Sequence, residues 1–306
     1  MALVVIRPGM LTTVQDLGRW GSQDRGVPVA GPMDAYSHRL ANRLVGNGDA
    51  AAAVEITLVG PELEADEEAL CAIGGAEFEV TVNGMPVEGS RPFVVPARGR
   101  VRFGRRRAGA RATLAVRGGL DLPAIFGSRA TSLISRIGPF GGRALLPGDV
   151  LPVGGQGGSA ATAGHALELP SGGARLRLIR GPQDAMFTRS AFDRLLTSRF
   201  IVSAQSNRMG YRLEGPALRP SGGADMLSDA TPIGSLQVPS SGQPILLMAD
   251  RQTTGGYPRI GTVITADLAI AGQLAPGDWI AFADCTRDEA MDALRDQEAA
   301  LSGQVR

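Results

Sequence analysis

Two polar segments hold the side chains best suited to chemistry. In ADRQTTGGYPRIG (249–261), Asp250 closes an apolar run, and Arg251, Gln252, Thr253, Thr254 and the pair Gly255-Gly256 follow it. A carboxylate in that place can accept a proton or orient a partner. Gln252, Thr253 and Thr254 bring hydrogen-bonding groups, and Arg259 brings a planar fork matched to a carboxylate. Two successive glycines let neighbouring backbone N–H groups turn toward one anionic or carbonyl oxygen, as a nest does. The same residues would also serve as a capped turn in which the glycines only redirect the chain; a dense polar cluster after a buried strand favours a site. In QSNRMGYRL (205–213), Gln205, Ser206, Asn207, Arg208 and Tyr211 surround Gly210. The competing reading there is a polar strand and β-turn with Arg208 paired to a carboxylate.

If the two segments occupy matching positions of a β-barrel, they face one cleft. Asp250, Arg208 and Tyr257 are then the catalytic candidates. Gln205, Ser206, Asn207, Tyr211, Gln237, Gln252, Thr253, Thr254, Gly255, Gly256 and Arg259 are the substrate-binding candidates. Arg208 and Arg259 would hold an anion, and Asp250 would orient or deprotonate a reacting amide or water.

The elements that must position these residues are mostly strands. Short runs such as FEVTVNG, ATLAVRGG, ARLRLIRG, QPILLMAD and DWIAFAD are rich in Val, Ile, Leu and Phe and are punctuated by Gly and Pro. Several alternate apolar and polar residues, as half-buried strands do, and their regular spacing predicts a sandwich or barrel. Helical periodicity predicts three helices: 33–46 with Asp34 as cap, 182–198 after Pro182, and 286–301 with Thr286 as cap. Residues 153–173 have linker composition, so His165 is expected to be mobile and without a role, and domains are expected at 1–170 and 171–306. Four short pairs recur in order along the two halves: QDLGRWG with QSNRMG, VVPARG with QVPSSG, Gly118-Gly119 with Gly255-Gly256, and LLPGD with LAPGD. Collinear recurrence indicates two similar β-domains. In the first, Asp16, Arg19, Asp34 and Glu55 are read as an ionic network joining strand to helix, and His38 as a surface or partly packed histidine.

Absences narrow the function. The chain has 306 residues, and its 31 basic residues are all arginine. Schiff-base chemistry, the phosphate-loop lysine and covalent biotin, lipoate or pyridoxal phosphate therefore have no attachment point in this sequence. Two histidines and two cysteines are too few for a zinc site to be expected, and Cys71 and Cys285 imply no disulfide framework. A net charge of +1 gives no overall pull toward nucleic acid or membrane. The arginine run RVRFGRRRAGAR (100–111) has a single aromatic and is expected to be a hairpin with its charged tip at Arg105–Arg107, not a nucleic-acid surface. No apolar run is long enough to span a bilayer, and MALVVIRPGM lacks the basic region of a secretory signal, so a cytoplasmic protein is expected.

The segments 14–47, 205–216 and 233–268 resemble, in collinear order, the allophanate hydrolase subunit 2 / KipA family, also known as the C component of 5-oxoprolinase. The same module resembles half of the carboxyltransferase region of urea carboxylase. The resemblance implies tandem cyclophilin-like β-barrels with a few short helices, a KipI-like partner as the B component and a LamB/YcsF-like partner as the A component. It implies ATP-dependent opening of 5-oxoproline to glutamate by the complex, or carboxyl transfer with biotin carried by a partner, the chain being inactive alone. A regulatory binder that antagonises a KipI-type sensor-kinase inhibitor is a further reading, and a prolyl isomerase rests on fold analogy alone. Three positions depart from the family pattern: Asn207 where aspartate is common, Arg259 where lysine is common, and Pro32 for a smaller residue.

Overall fold

The structure is a computed structural model that describes residues 1–155, 158, 165–224 and 226–303. Two compact units emerge from it. One holds Met1–Arg19, Ala30–Leu169 and the chain from Glu298; the other holds Trp20–Val29 and Pro170–Gln297. Each unit is thus closed by a short stretch from a distant part of the sequence. Of the expected linker, residues 156–157 and 159–164 lie outside the described residues.

The first unit is a nine-stranded half-barrel. Its strands are β1 (Ala2–Arg7), β2 (Leu11–Gln15), β3 (Ala53–Thr57), β4 (Glu62–Ala65), β5 (Ala69–Val82), β6 (Met85–Val87), β7 (Phe93–Val95), β8 (Arg100–Val116) and β9 (Val150–Pro152). They run in the order β2-β3-β8-β4-β1-β9, with β5 on β6, β7 and β8. Alternation places Leu3 and Val5 of β1 in a core shared with Leu63, Cys71, Val101, Leu114 and Leu151. Helix α1 (Ala35–Leu44) is capped as its sequence predicts, the Asp34 carboxylate accepting from the Ser37 N–H at 2.9 Å. It lies against β5 at Gly74, where a Cβ would sit 2.4 Å from the Ser37 carbonyl. A second short turn, α2 (Pro139–Gly142), follows.

Several expectations are corrected here. His38 is fully buried, because residue 38 lies on the inward face of α1 with Ser37, Ala41 and Asn42. Its Nε2 lies 3.1 Å from the Ala51 carbonyl, and burial lowers its pKa to about 4. An unfolded histidine takes up a proton near pH 6.5, so between about pH 6.5 and about pH 4 the unfolded chain binds more protons and stability falls as pH falls. The difference amounts to roughly 3 kcal/mol. Urea melts from about pH 7 to about pH 4 should show that loss, and His38→Gln, which keeps a donor for Ala51, should flatten it. An unchanged pH slope in the variant would contradict this account of the helix.

The arginine run forms no hairpin. Arg105–Arg107 lie within the 17-residue strand β8, because β5 continues alongside it past Glu77 and Glu79. Arg107 pairs with Glu79 at 3.2 Å, and Arg106 donates to the Gly109 carbonyl where the register shifts. His165 is tied through its backbone: its carbonyl accepts the Tyr36 hydroxyl at 2.6 Å and its N–H donates to Ala300 at 3.3 Å. The residues of the expected ionic network also hold loops. Asp16 accepts from the Gly18 and Arg129 N–H groups and from the Ser128 hydroxyl; Glu55 accepts from the Met33 N–H at 2.6 Å.

The second unit is a closed seven-stranded barrel with a two-stranded ribbon. Its strands are β10 (Gly173–Arg180), β11 (Arg199–Val202), β12 (Gly210–Glu214), β13 (Asp229–Ala230), β14 (Ser235–Gln237), β15 (Ile245–Leu247), β16 (Thr254–Gly255), β17 (Arg259–Val263) and β18 (Trp279–Asp284). Barrel order is β10-β17-β14-β15-β12-β11-β18, closed by parallel pairing of β18 with β10, while β13 and β16 form the ribbon. Leu176, Leu178, Phe200, Leu213, Leu236, Leu246, Ile280 and Phe282 are buried in this unit, and the Phe200 and Phe282 rings lie 6.0 Å apart.

The predicted helix 182–198 divides into a 3₁₀ turn at Asp184–Met186 and α3 (Arg189–Thr197), because Thr188 takes the N-cap by accepting from Ala191. Helix α4 (Thr265–Gly272) had no signal in the sequence, being largely apolar and without an amphipathic stripe. Helix α5 (Arg287–Leu301) starts in a capping box, with Thr286 and Glu289 exchanging hydrogen bonds.

The repeated motifs build matching turns. In LLPGD the Asp149 carboxylate accepts the Leu146 N–H at 2.7 Å and Gly148 donates to the Val5 carbonyl; in LAPGD Asp278 accepts from Ala275 at 2.8 Å and Gly277 donates to Val202. Gly99 and Gly242 each close a turn onto the carbonyl of the proline three residues earlier. Both cysteines are free and buried, and burial pushes the Cys71 thiol up to about 12. No helix among the described residues is long and apolar enough to cross a membrane.

Candidate functional site

The candidate residues that converge do so in the barrel of the second unit. Strands β12 and β15 pair from Arg212↔Ile245 to Gly210↔Leu247. The pairing continues beyond the strands: Met248 donates to the Met209 carbonyl at 2.9 Å and Asp250 to the Arg208 carbonyl at 2.8 Å. This extension places the side chains of Arg208 and Asp250 together. Nε and Nη2 of Arg208 donate to the two Asp250 oxygens at 3.0 and 3.1 Å, with side-chain exposures of 5% and 1%. The two motifs are therefore joined by a buried, two-pronged ion pair.

Around this pair the turn 205–210 is built by side chains. Asn207 accepts from the Met209 N–H at 2.8 Å and exchanges backbone bonds with Gly210. An asparagine oxygen does this as well as a carboxylate, so the turn needs no charge at this position. Ser206 accepts from the Arg212 N–H at 3.1 Å. Tyr211 is buried, its hydroxyl donating to Leu274 at 3.3 Å, whereas Gln205 and Asn207 are exposed.

The glycine pair works differently from a nest. Neither Gly255 nor Gly256 has the positive φ a nest requires, and Gly255 lies in the β13–β16 ribbon opposite Asp229. Its missing side chain instead leaves room: a Cβ at Gly255 would fall 2.6 Å from Nε2 of both Gln237 and Gln252, and 3.0 Å from Cγ2 of Thr231. Gln237 is 2% exposed on β14, between β15 and β17, and its Nε2 has no hydrogen-bond partner among the described residues. Thr253 and Thr254 flank this point, and Tyr257 is exposed.

The three arginines of the site have different surroundings. Arg259 donates to Gln183 at 3.1 Å, to the Ala230 carbonyl at 2.5 Å and to the Asp229 carboxylate. Arg208 holds Asp250. Arg251, to which sequence reasoning gave no binding role, is 8% exposed and donates from Nε to the Thr231 carbonyl at 2.8 Å. It has no carboxylate at ion-pair distance among the described residues, and burial lowers its pKa from the ordinary arginine value. No sequence signal separates it from Arg259; the difference lies in which acidic side chain the fold brings near. Among the described residues no group of three His, Cys, Asp or Glu side chains is placed to hold a metal ion.

Residues 25–284 match the family described as carboxyltransferase domain, subdomain A and B. The chain belongs to this carboxyltransferase-domain family. Within it, the chain is 40% identical to the C component of 5-oxoprolinase from Escherichia coli over 97% of this chain and 95% of that one. It is 34% identical to urea amidolyase of Lachancea kluyveri, a match that covers 98% of this chain and 18% of the relative. Among solved structures, urea carboxylase of Kluyveromyces lactis superposes with a TM-score of 0.94 at 30% identity, over 100% of this chain and 30% of that protein. The carboxyltransferase-domain chain thus spans nearly all of one kind of relative and less than a third of the other. The mainly β architecture expected from the sequence is the architecture of the family.

Proposed function

We propose that this chain is the C component of an ATP-dependent 5-oxoprolinase-type complex, working with a KipI-like and a LamB/YcsF-like partner to open 5-oxoproline to glutamate. The observation that carries this reading is the near full-length match, in both chains, to a relative that bears that name. The chain has an enzyme-subunit role and requires its partners. ATP is used by the assembly; with no lysine in the sequence, nothing here can carry biotin covalently. In the barrel, Asp250, clamped by Arg208, is fixed to orient the reacting amide or a water and to accept its proton. Gln237 and Gln252, whose side-chain amides both approach Gly255, supply groups that can hydrogen-bond the substrate. Tyr257 lies exposed, where it can meet substrate or partner.

The family description and the urea carboxylase superposition favour a second reading, carboxyl transfer from a biotin carried by a partner. Two measurements separate the readings. Affinity-tagged chain co-expressed with the two partner types should yield a heteromer whose 5-oxoproline-dependent ATP hydrolysis is indifferent to avidin. Loss of that activity on adding avidin would place the chain in carboxyl transfer instead.

A further inference from the structure

We infer that a cleft along one edge of β5 is a docking site for an extended segment of another protein, one that alternates apolar and basic side chains. On the edge away from β8, strand β5 has two neighbours: β7 pairs with residues 69–71 and β6 with residues 80–82. Between them, residues 72–79 have no strand neighbour but β8. The chain joining β6 to β7 is residues 88–92, too short to follow that stretch residue for residue. Among the described residues it makes one backbone hydrogen bond to β5, from the Ser90 N–H to the Ile73 carbonyl at 3.0 Å. A cleft of about 530 Å³ lies between the two, with Gly75 and Phe78 on one side and Pro86, Val87, Gly89 and Ser90 on the other.

A bulge shapes this edge. Gly75 has a φ of +87°, and the register against β8 shifts between it and Glu77. An extra residue reverses which side chains face inward. Cys71 and Ile73 lie in the core before the bulge, Ala76 and Val80 after it, and Phe78 packs against them. Glu77 and Glu79 thereby turn to the opposite face. Side chains of both sets line the cleft, so it runs along the edge of the strand, where backbone N–H and C=O groups are presented. An added strand pairs with such groups. Its own alternation would set apolar side chains against Phe78 and Val87, and the others beside the glutamates. The charged side chains lining the cleft are Glu77, Glu79 and Arg107. Arg107 meets Glu79 at 3.2 Å, whereas the exposed Glu77 has no ion-pair partner among the described residues. That unbalanced carboxylate selects a basic side chain on the incoming segment. A second copy of this chain is a poor occupant, because two-fold antiparallel pairing would lay glutamates against glutamates.

The test adds an end-blocked hexapeptide alternating valine and arginine to the full chain labelled with ¹⁵N, and follows the backbone amide signals of residues 74–79 and 86–90 by NMR. Saturable shifts at these residues are expected. A peptide with glutamate in place of arginine should bind more weakly, and a fully N-methylated version, which cannot donate to a strand, should not bind. In Glu77→Gln the arginine peptide should bind about 2- to 5-fold more weakly, the loss of an exposed ion pair. In Glu77→Arg the preference between the two charged peptides should reverse. Glu77 is exposed, so both variants should keep the fold, and unchanged signals outside the cleft check this. No shift with the arginine peptide, equal preference in the unaltered chain and in Glu77→Arg, or undiminished binding of the N-methylated peptide overturns the proposal. So does a dimer that, at raised concentration without peptide, shifts the same signals, since the edge would then be paired with its own copy.

Discussion

Arg208→Ala and Asp250→Ala are each expected to destabilise the barrel by about 3–5 kcal/mol, since each leaves a charge buried without its counterpart. The exposures of 5% and 1% remove the solvent that would otherwise screen the loss. This changes how the pair has to be probed, because a single substitution confounds chemistry with folding. The double variant Arg208→Met/Asp250→Leu replaces both charges with apolar groups of comparable size and should recover most of the lost stability in urea melts. If Asp250 carries out the chemistry assigned to it, that refolded double variant remains inactive in the assembled complex. A double variant with normal turnover would make the pair a structural clamp between β12 and β15 and nothing more.

Tyr211 offers a comparably large effect of a different kind. It is 1% exposed within the barrel, and its hydroxyl donates to the Leu274 carbonyl at 3.3 Å. Tyr211→Ala should cost about 3–5 kcal/mol, as the loss of a buried aromatic ring does. Tyr211→Phe keeps the ring and removes this one hydrogen bond, at about 0.5–1.5 kcal/mol. Denaturation midpoints of the two variants give both numbers. If Tyr211 acts only as packing, Tyr211→Phe should turn over substrate normally in the complex; a rise in KM with unchanged stability would restore the substrate contact expected from its place in the motif.

Much of the architecture was legible because it is local. Asp34 and Thr286 cap their helices within three residues, and the two Pro-Gly-Asp turns close onto the residue three positions back. Period-two alternation likewise marks β10. What stayed hidden depends on partners distant in sequence. Arg105–Arg107 look like a hairpin tip until β5 is laid beside them. Helix α4 has no polar face to betray a helical period. At the site, motif reading named Asp250, Arg208, Gln237 and Gln252 as candidates, yet it could not say which acid each arginine meets. Asp250 meets Arg208 across 42 residues and Asp229 meets Arg259 across 30, and residue types alone do not say which guanidinium is left over. The same limit applies to Gly255-Gly256, where a nest and an extended strand that makes room for two amides have the same sequence.

The central claim is that this chain is a required member of a 5-oxoproline-opening assembly, and omitting it from the reconstituted complex tests that most directly. Glutamate formed from 5-oxoproline in the presence of ATP is measured with the KipI-like and LamB/YcsF-like partners, with and without this chain. The account predicts glutamate production, coupled to ATP hydrolysis, only when the chain is present. Equal production without it, or none with all three present, would contradict the assignment.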